Sequence, residues 1–179
     1  MGEVGEIVGG GTPETSNPKF WNGGIQWYTP TEIATKYISR SNRTISSLGL
    51  HSSSAKLLPV GTLLFTSRAT IAEISFALDE CSTNQGFQSI IVNRNNYSEF
   101  VYYLFTQNKK EFIRRSQGST FLEISKNEMK KIKVQLPCFK EQKRIGQFMK
   151  VIDEKIESIQ TQLTQTKKFK NGLLQQMFV

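Results

Sequence analysis

Residues 140–179 read KEQKRIGQFMKVIDEKIESIQTQLTQTKKFKNGLLQQMFV, a stretch without proline. Ile145, Met149, Ile152, Ile156, Ile159, Leu163, Thr166, Lys170, Leu173 and Met177 recur at alternating spacings of four and three, as the a and d positions of a heptad do. At ~1.5 Å per residue such a helix is on the order of 55 to 60 Å long, more than a domain of this size spans. An ordinary core helix is the plainer reading; the length favours a helix that packs on something outside its own domain. Thr166 and Lys170 interrupt the seam, and Gly146 and Gly172 lie near its ends, where helix backbones can approach closely. In an antiparallel pair of identical helices, Thr166 and Lys170 face the apolar half of the partner. The pattern therefore predicts a two-fold homodimer built through Ile145, Met149, Ile152, Ile156, Ile159, Leu163, Leu173 and Met177.

With 179 residues, 37% of them hydrophobic and 11% aromatic, the chain is long enough to bury a core and too apolar for wholesale disorder. The expected fold class is α+β: a mixed sheet-and-helix domain over residues 1–138, followed by the long helix over 139–179. No run reaches the ~18 apolar residues of a membrane span. Met1-Gly2-Glu3-Val4 has neither the basic start nor the apolar block of a secretion signal. A cytoplasmic protein without a membrane partner is expected. Cys81 and Cys138 fit no metal-ligand spacing and His51 is the one histidine, so no zinc site and two reduced thiols are expected.

The net charge of +8 is unevenly placed. Residues 1–108 hold seven basic and eight acidic side chains, 109–150 twelve and four, and 151–179 four and three. Residues 33–72 carry Lys36, Arg40, Arg43, Lys56 and Arg68 and no acid. Acid-poor basic segments suit a polyanion, because each phosphate neutralised releases counterions. A solvated basic face is the alternative.

Along the chain, Glu6-Ile7-Val8 runs into three glycines, Gly9 to Gly11, with no Gly-Lys-Ser/Thr after them. A P-loop is excluded, and the glycines serve positive φ or close backbone approach. Ile25–Tyr28 reads as a strand, and Thr29-Pro30-Thr31-Glu32 as the cap of a brief helix to Tyr37. The aromatics here are expected in the core. Residues 39–54 are dense in hydroxyls, amides and cations, which suits base edges and phosphates and equally suits an exposed loop. Thr62–Thr66 and Thr70–Phe76 read as a hairpin with Arg68 at its tip, and Ser89–Val92 as a buried strand. A helix begins at Ser98 with Phe100, Val101, Leu104, Phe105 and Phe112 inward, and Lys131–Leu136 alternates as a half-exposed strand.

No active site emerges. His51 lies in a serine-rich loop with no nucleophile motif around it, and no acidic cluster is fit to hold magnesium. Asn17-Pro18-Lys19-Phe20 approaches the Asn-Pro-Pro-aromatic motif of amino-methyltransferases, but Lys19 replaces the second proline and no glycine-rich cofactor turn accompanies it. No catalytic residue and no metal ligand is expected.

Several separated stretches together resemble one family. They are Gly10-Gly11-Thr12-Pro13 followed by Phe20-Trp21 and Ile25-Gln26-Trp27; Ser54-Ala55-Lys56-Leu57-Leu58-Pro59-Val60-Gly61-Thr62; Ser67-Arg68-Ala69-Thr70-Ile71; Asn84-Gln85-Gly86-Phe87; Gly118-Ser119-Thr120; Leu136-Pro137 with Glu141-Gln142; and Gly172-Leu173-Leu174-Gln175-Gln176-Met177-Phe178. In this order they are similar to the specificity (S) subunits of type I restriction-modification systems. Ala72, where that family often has glycine, and Cys138, where a second proline is usual, depart from the pattern.

A full member usually carries two target-recognition domains, each followed by a long helix, and the helices pack antiparallel between them; this chain resembles half of one. The resemblance implies a non-catalytic module that reads one half of a bipartite site in double-stranded DNA. It implies docking of modification (methyltransferase) subunits on the helices and, through them, of restriction subunits. S-adenosylmethionine is then expected only on the modification subunits, with no cofactor on this chain. Lys19, Arg40, Arg43, Lys56 and Arg68 are the leading candidates for DNA contact, with Ser52, Ser53, Asn84, Gln85 and Thr120 behind them. An assembly scaffold or anti-restriction protein whose basic faces meet protein is the alternative.

Overall fold

The computed structural model describes residues 1–118 and 122–178. Its strands are β1 (Gly5–Gly9), β2 (Trp21–Tyr28), β3 (Tyr37–Ile38), β4 (Arg43–Ile45), β5 (Leu63–Phe65), β6 (Ile74–Ala77), β7 (Cys81–Thr83) and β8 (Gln88–Val92). Its helices are α1 (Ser47–His51), α2 (Ser98–Gln107), α3 (Lys109–Arg115), α4 (Lys126–Lys131) and α5 (Phe139–Met177). A five-stranded sheet runs β1-β8-β5-β6-β3 and a three-stranded sheet runs β4-β2-β7. The fold is α+β.

The unbroken apolar run of β5 follows from burial on both faces. Side chains alternate across a strand, so Leu63 and Phe65 enter a core with Phe100, Val101, Phe105, Phe112 and Met129 from α2, α3 and α4. Leu64 enters a second core with Tyr28, Ile33, Leu58, Cys81 and Phe87. β8 repeats the division, Ile90 facing the first core and Ile91 the second. A third cluster of Trp21, Trp27, Ile45 and Ala55 belongs to the smaller sheet.

Three local expectations are corrected. The helix expected up to Tyr37 is one 3-10 turn, Pro30–Glu32. The chain then pairs with β6, where Lys36 O accepts from Phe76 N (2.7 Å) and Ile38 O from Leu78 N (2.9 Å), so a sheet edge overrides local helical preference. The strand expected over Lys131–Leu136 is absent from the described sheets. α4 ends at Lys131, and Ile132, Val134 and Leu136 pack on the first core and pair with no strand among the described residues. Alternation reported their burial, not a ladder. β5 and β6 do pair antiparallel, Phe65 opposite Ile74, but Arg68 is not at an open tip. The connection folds back with Ala69 (φ 57°) and Ala72 (φ 65°) left-handed, which gives the reason for glycine at position 72 in the family that the chain resembles.

Among the described residues, the hydrogen bonds and ion pairs from α5 to the globular part lie in the first half of the helix. Gln142, 2% exposed, accepts from Tyr97 N at 3.0 Å and donates to Asn96 Oδ1 and Pro137 O, both at 3.0 Å. Gly146 lets the helix lie close, for a Cβ there would stand 2.9 Å from Phe100 N and from the Tyr97 ring. About two turns further, Asp153 accepts from Tyr103 Oη (2.5 Å) and Lys36 Nζ (3.1 Å). Lys36 also pairs with Glu99 at 2.9 Å, and Glu99 accepts from Tyr37 Oη at 2.7 Å. Burial first, and then its bond to Asp153, pushes the Tyr103 phenol up to about 12. Ile145, Ile152, Ile156, Ile159, Leu163, Leu173 and Met177 are exposed along α5, while Met149 is half-buried. No helix among the described residues is long and apolar enough to cross a membrane.

Replacing Gln142 with Ala leaves Tyr97 N–H and the Pro137 carbonyl without their partner, at a cost of about 1–3 kcal/mol. The expected outcome is a lower urea midpoint for unfolding.

Candidate nucleic-acid interface

The loop after β1 gathers the pieces of one surface lobe. Gly11 N donates to Thr83 O at 2.8 Å, Thr12 Oγ1 to Gln85 Oε1 at 2.5 Å, and Trp27 Nε1 to Gly11 O at 2.9 Å. Trp21 Nε1 donates to Glu14 O at 3.2 Å. A Cβ on Gly11 would overlap Ser54 and the backbone of Ala55; that glycine is there so that two chain segments can touch. The two indoles meet edge to face with centroids 5.1 Å apart.

A second clamp joins the turn Pro18–Phe20 to β4 and α1. Ser46 N donates to Phe20 O (2.9 Å), Ser46 Oγ to Lys19 O (2.7 Å), and Gly49 N to Ser46 Oγ (3.0 Å). Ser46 thereby caps α1 and holds Lys19 in place.

Lys19, Arg40, Arg43, Ser52, Lys56 and Gln85 are all exposed. Arg43 lies over the Trp21 ring, its Cζ 3.5 Å from the centroid. Ser53 and Asn84 are occupied locally: Ser53 Oγ accepts from Ala55 N (3.2 Å) and Asn84 Oδ1 from Gly86 N (2.8 Å). They shape the loops that present their neighbours. Arg68 pairs with Glu123 at 2.8 Å, although its neighbour Ser67 joins the same turn by donating to Gly86 O at 2.8 Å. Thr120 lies outside the described residues. The structure thus brings Lys19, Arg43, Ser52, Ser53, Lys56, Asn84 and Gln85 into segments that pack together, and holds Arg68 in an ion pair.

Charge counted along the sequence overstates free charge. In the basic middle third, Arg114 and Arg115 bind Glu111 at 2.8 and 2.7 Å, Lys131 binds Glu128 at 2.5 Å, and Lys109 binds Glu73. Hydrogen bonds from Arg114 and Arg115 hold the Glu111 carboxyl down to about 2. Lys36, from the acid-poor segment, is spent at the α5 junction. By contrast Lys19, Arg40, Arg43 and Lys56 have no salt bridge among the described residues. Sequence reasoning missed the role of Trp21 and Trp27 as a floor under Arg43, because an aromatic that supports a surface cation has the same sequence signature as a core aromatic.

Residues 1–168 match the family described as type I restriction modification DNA specificity domain. The type I restriction enzyme MjaIX specificity subunit of Methanocaldococcus jannaschii is 37% identical over 161 residues, which cover 87% of this chain and 37% of that protein. The EcoR124I/EcoR124II specificity subunit of Escherichia coli is 26% identical over 166 residues, covering 89% and 41%. The chain therefore spans about two fifths of the length of these relatives. Among solved structures, a chain of a type I R-M system superposes with a TM-score of 0.74 at 19% identity, covering 92% of this chain and 40% of that one. The HsdS subunit from Thermoanaerobacter tengcongensis superposes with a TM-score of 0.71 at 17% identity, covering 89% and 37%. Both likenesses show a shared fold.

The tight packing at Gly11 predicts that Gly11→Ala forces the 54–55 segment away from the loop. A cost of about 1–3 kcal/mol is expected for this overpacking, measured as a lowered thermal midpoint.

Proposed function

The chain belongs to the type I restriction modification DNA specificity family, and on that premise we propose that it binds double-stranded DNA sequence-specifically, reading one half of a bipartite site. The observation that carries this reading is the lobe on which Lys19, Arg43 and Lys56 stand exposed with no carboxylate partner among the described residues. Unpaired cations gain counterion release on meeting phosphate without first surrendering a partner. The chain is non-catalytic in this reading. S-adenosylmethionine and the methylation of bases belong to separate modification subunits that dock on the helices, and restriction subunits join through them.

The seam of α5 takes an antiparallel helix of its own kind, which for this chain alone is that of a second copy. Pairing a with d positions sets Ile145 opposite Met177, Met149 opposite Leu173, Ile152 opposite Lys170, Ile156 opposite Thr166 and Ile159 opposite Leu163. Two lobes then stand at the two ends of a rod about 58 Å long, and the rod sets the distance between two DNA half-sites.

Selection from a random duplex pool, with and without modification subunits and over a range of salt, tests the DNA reading. A motif enriched in a salt-dependent way is the expected result; no enriched duplex even in the assembled complex removes it in favour of a protein-binding scaffold. For the rod, replacing Ile152, Ile156 and Ile159 together with Asp is expected to give monomers in sedimentation, and a variant that stays dimeric shows that the seam is not the interface.

A further inference from the structure

Of the exposed cations on the lobe, Arg43 is held in one orientation without being neutralised. Its guanidinium carbon Cζ lies over the Trp21 ring, 3.5 Å from the centroid, and 5.9 Å from the centroid of Trp27. Both indoles are buried, at 8% and 4% exposure, and each is pinned through Nε1, Trp21 to Glu14 O and Trp27 to Gly11 O. The strand beneath is fixed as well: Arg43 pairs with Trp27 across β2 and β4, and its carbonyl accepts from Ser41 Oγ at 2.5 Å. Stacking occupies the π face of a guanidinium and leaves its N–H donors free in the plane. The result is a rigid, charged, two-pronged donor at an exposed position, with its rotamer chosen in advance.

We infer that Arg43, stacked on Trp21, is a base-reading residue that presents a bidentate donor pair to the O6 and N7 acceptors of a guanine in the major groove. The inference rests on the reading of this chain as a DNA-binding protein and deepens it. A guanidinium fork also fits phosphate, and one feature favours the base edge. A phosphate contact gains little from a cation fixed in place, whereas base discrimination depends on one. Arg68 lacks this freedom, since it would first have to release Glu123.

The test uses the full chain with its modification subunits and compares motifs enriched from a random duplex pool by the wild type, Arg43→Lys and Arg43→Gln. Lys keeps the charge and loses the planar fork; Gln keeps a stem over Trp21 and loses the charge. The wild-type motif should contain a G·C pair whose identity both variants cease to select. On the wild-type duplex Arg43→Lys should bind about 5- to 150-fold more weakly, with the dependence of affinity on salt unchanged. The inference is overturned if Arg43→Lys enriches the wild-type motif unchanged. It is equally overturned if Arg43→Gln weakens all duplexes alike and lowers the salt slope by about one, the mark of a phosphate contact. If the wild type itself enriches no motif, the DNA reading fails and this inference with it, an outcome distinct from either of the others.

Discussion

Gln142 is the residue through which the long helix and the globular part become one object. A buried amide is costly unless its donors and acceptor are used, and here both amide hydrogens and the carbonyl oxygen find partners on the segment 96–97 and at Pro137. One side chain therefore closes the N-terminal end of α2, the last proline before α5 and the first turn of α5 against each other. Gly146 removes the side chain that would hold the two helices apart. The Lys36, Glu99, Tyr103 and Asp153 network then fixes the direction in which the rod leaves. Exposed ion pairs contribute little to stability, but Lys36 and Glu99 are only 15% and 12% exposed, and each has a tyrosine hydroxyl as a further partner, Tyr103 for Lys36 and Tyr37 for Glu99. They act on direction: a small rotation at the root of a helix of 39 residues becomes a large displacement at its far end.

The same economy of contacts builds the lobe. Gly11 brings a loop backbone against Ala55, and its carbonyl pins Trp27; Ser46 caps α1 while holding the carbonyls of Lys19 and Phe20. Lys36, Arg68, Lys109, Arg114, Arg115 and Lys131 are paired with acids, and Lys19, Arg43 and Lys56 on the lobe are not. The proposal of DNA binding depends on that division and not on the total charge, because a cation that already has a carboxylate offers a phosphate little.

Much of the architecture was legible beforehand. The helix expected over 140–179 is α5, Phe139–Met177, and the inward face expected of Phe100, Val101, Phe105 and Phe112 is the first core. What misled was pattern without partner. Residues 132–136 alternate because one side is buried, yet they pair with no strand among the described residues. Tyr37–Ile38 is too short a run to read as a strand and becomes one because β6 offers an edge.

The sequence by itself determined the long helix, its exposed heptad seam, the α+β class and the family resemblance, because each is written in spacing or order along the chain, and local backbone geometry converts spacing into faces. Only the tertiary structure decided which cations are free. Lys36 meets Asp153 across 117 positions, Arg68 meets Glu123, and Arg43 meets Trp21 instead of an acid. Pairing and stacking depend on distance in space, and no one-dimensional pattern of charges or aromatics carries that distance.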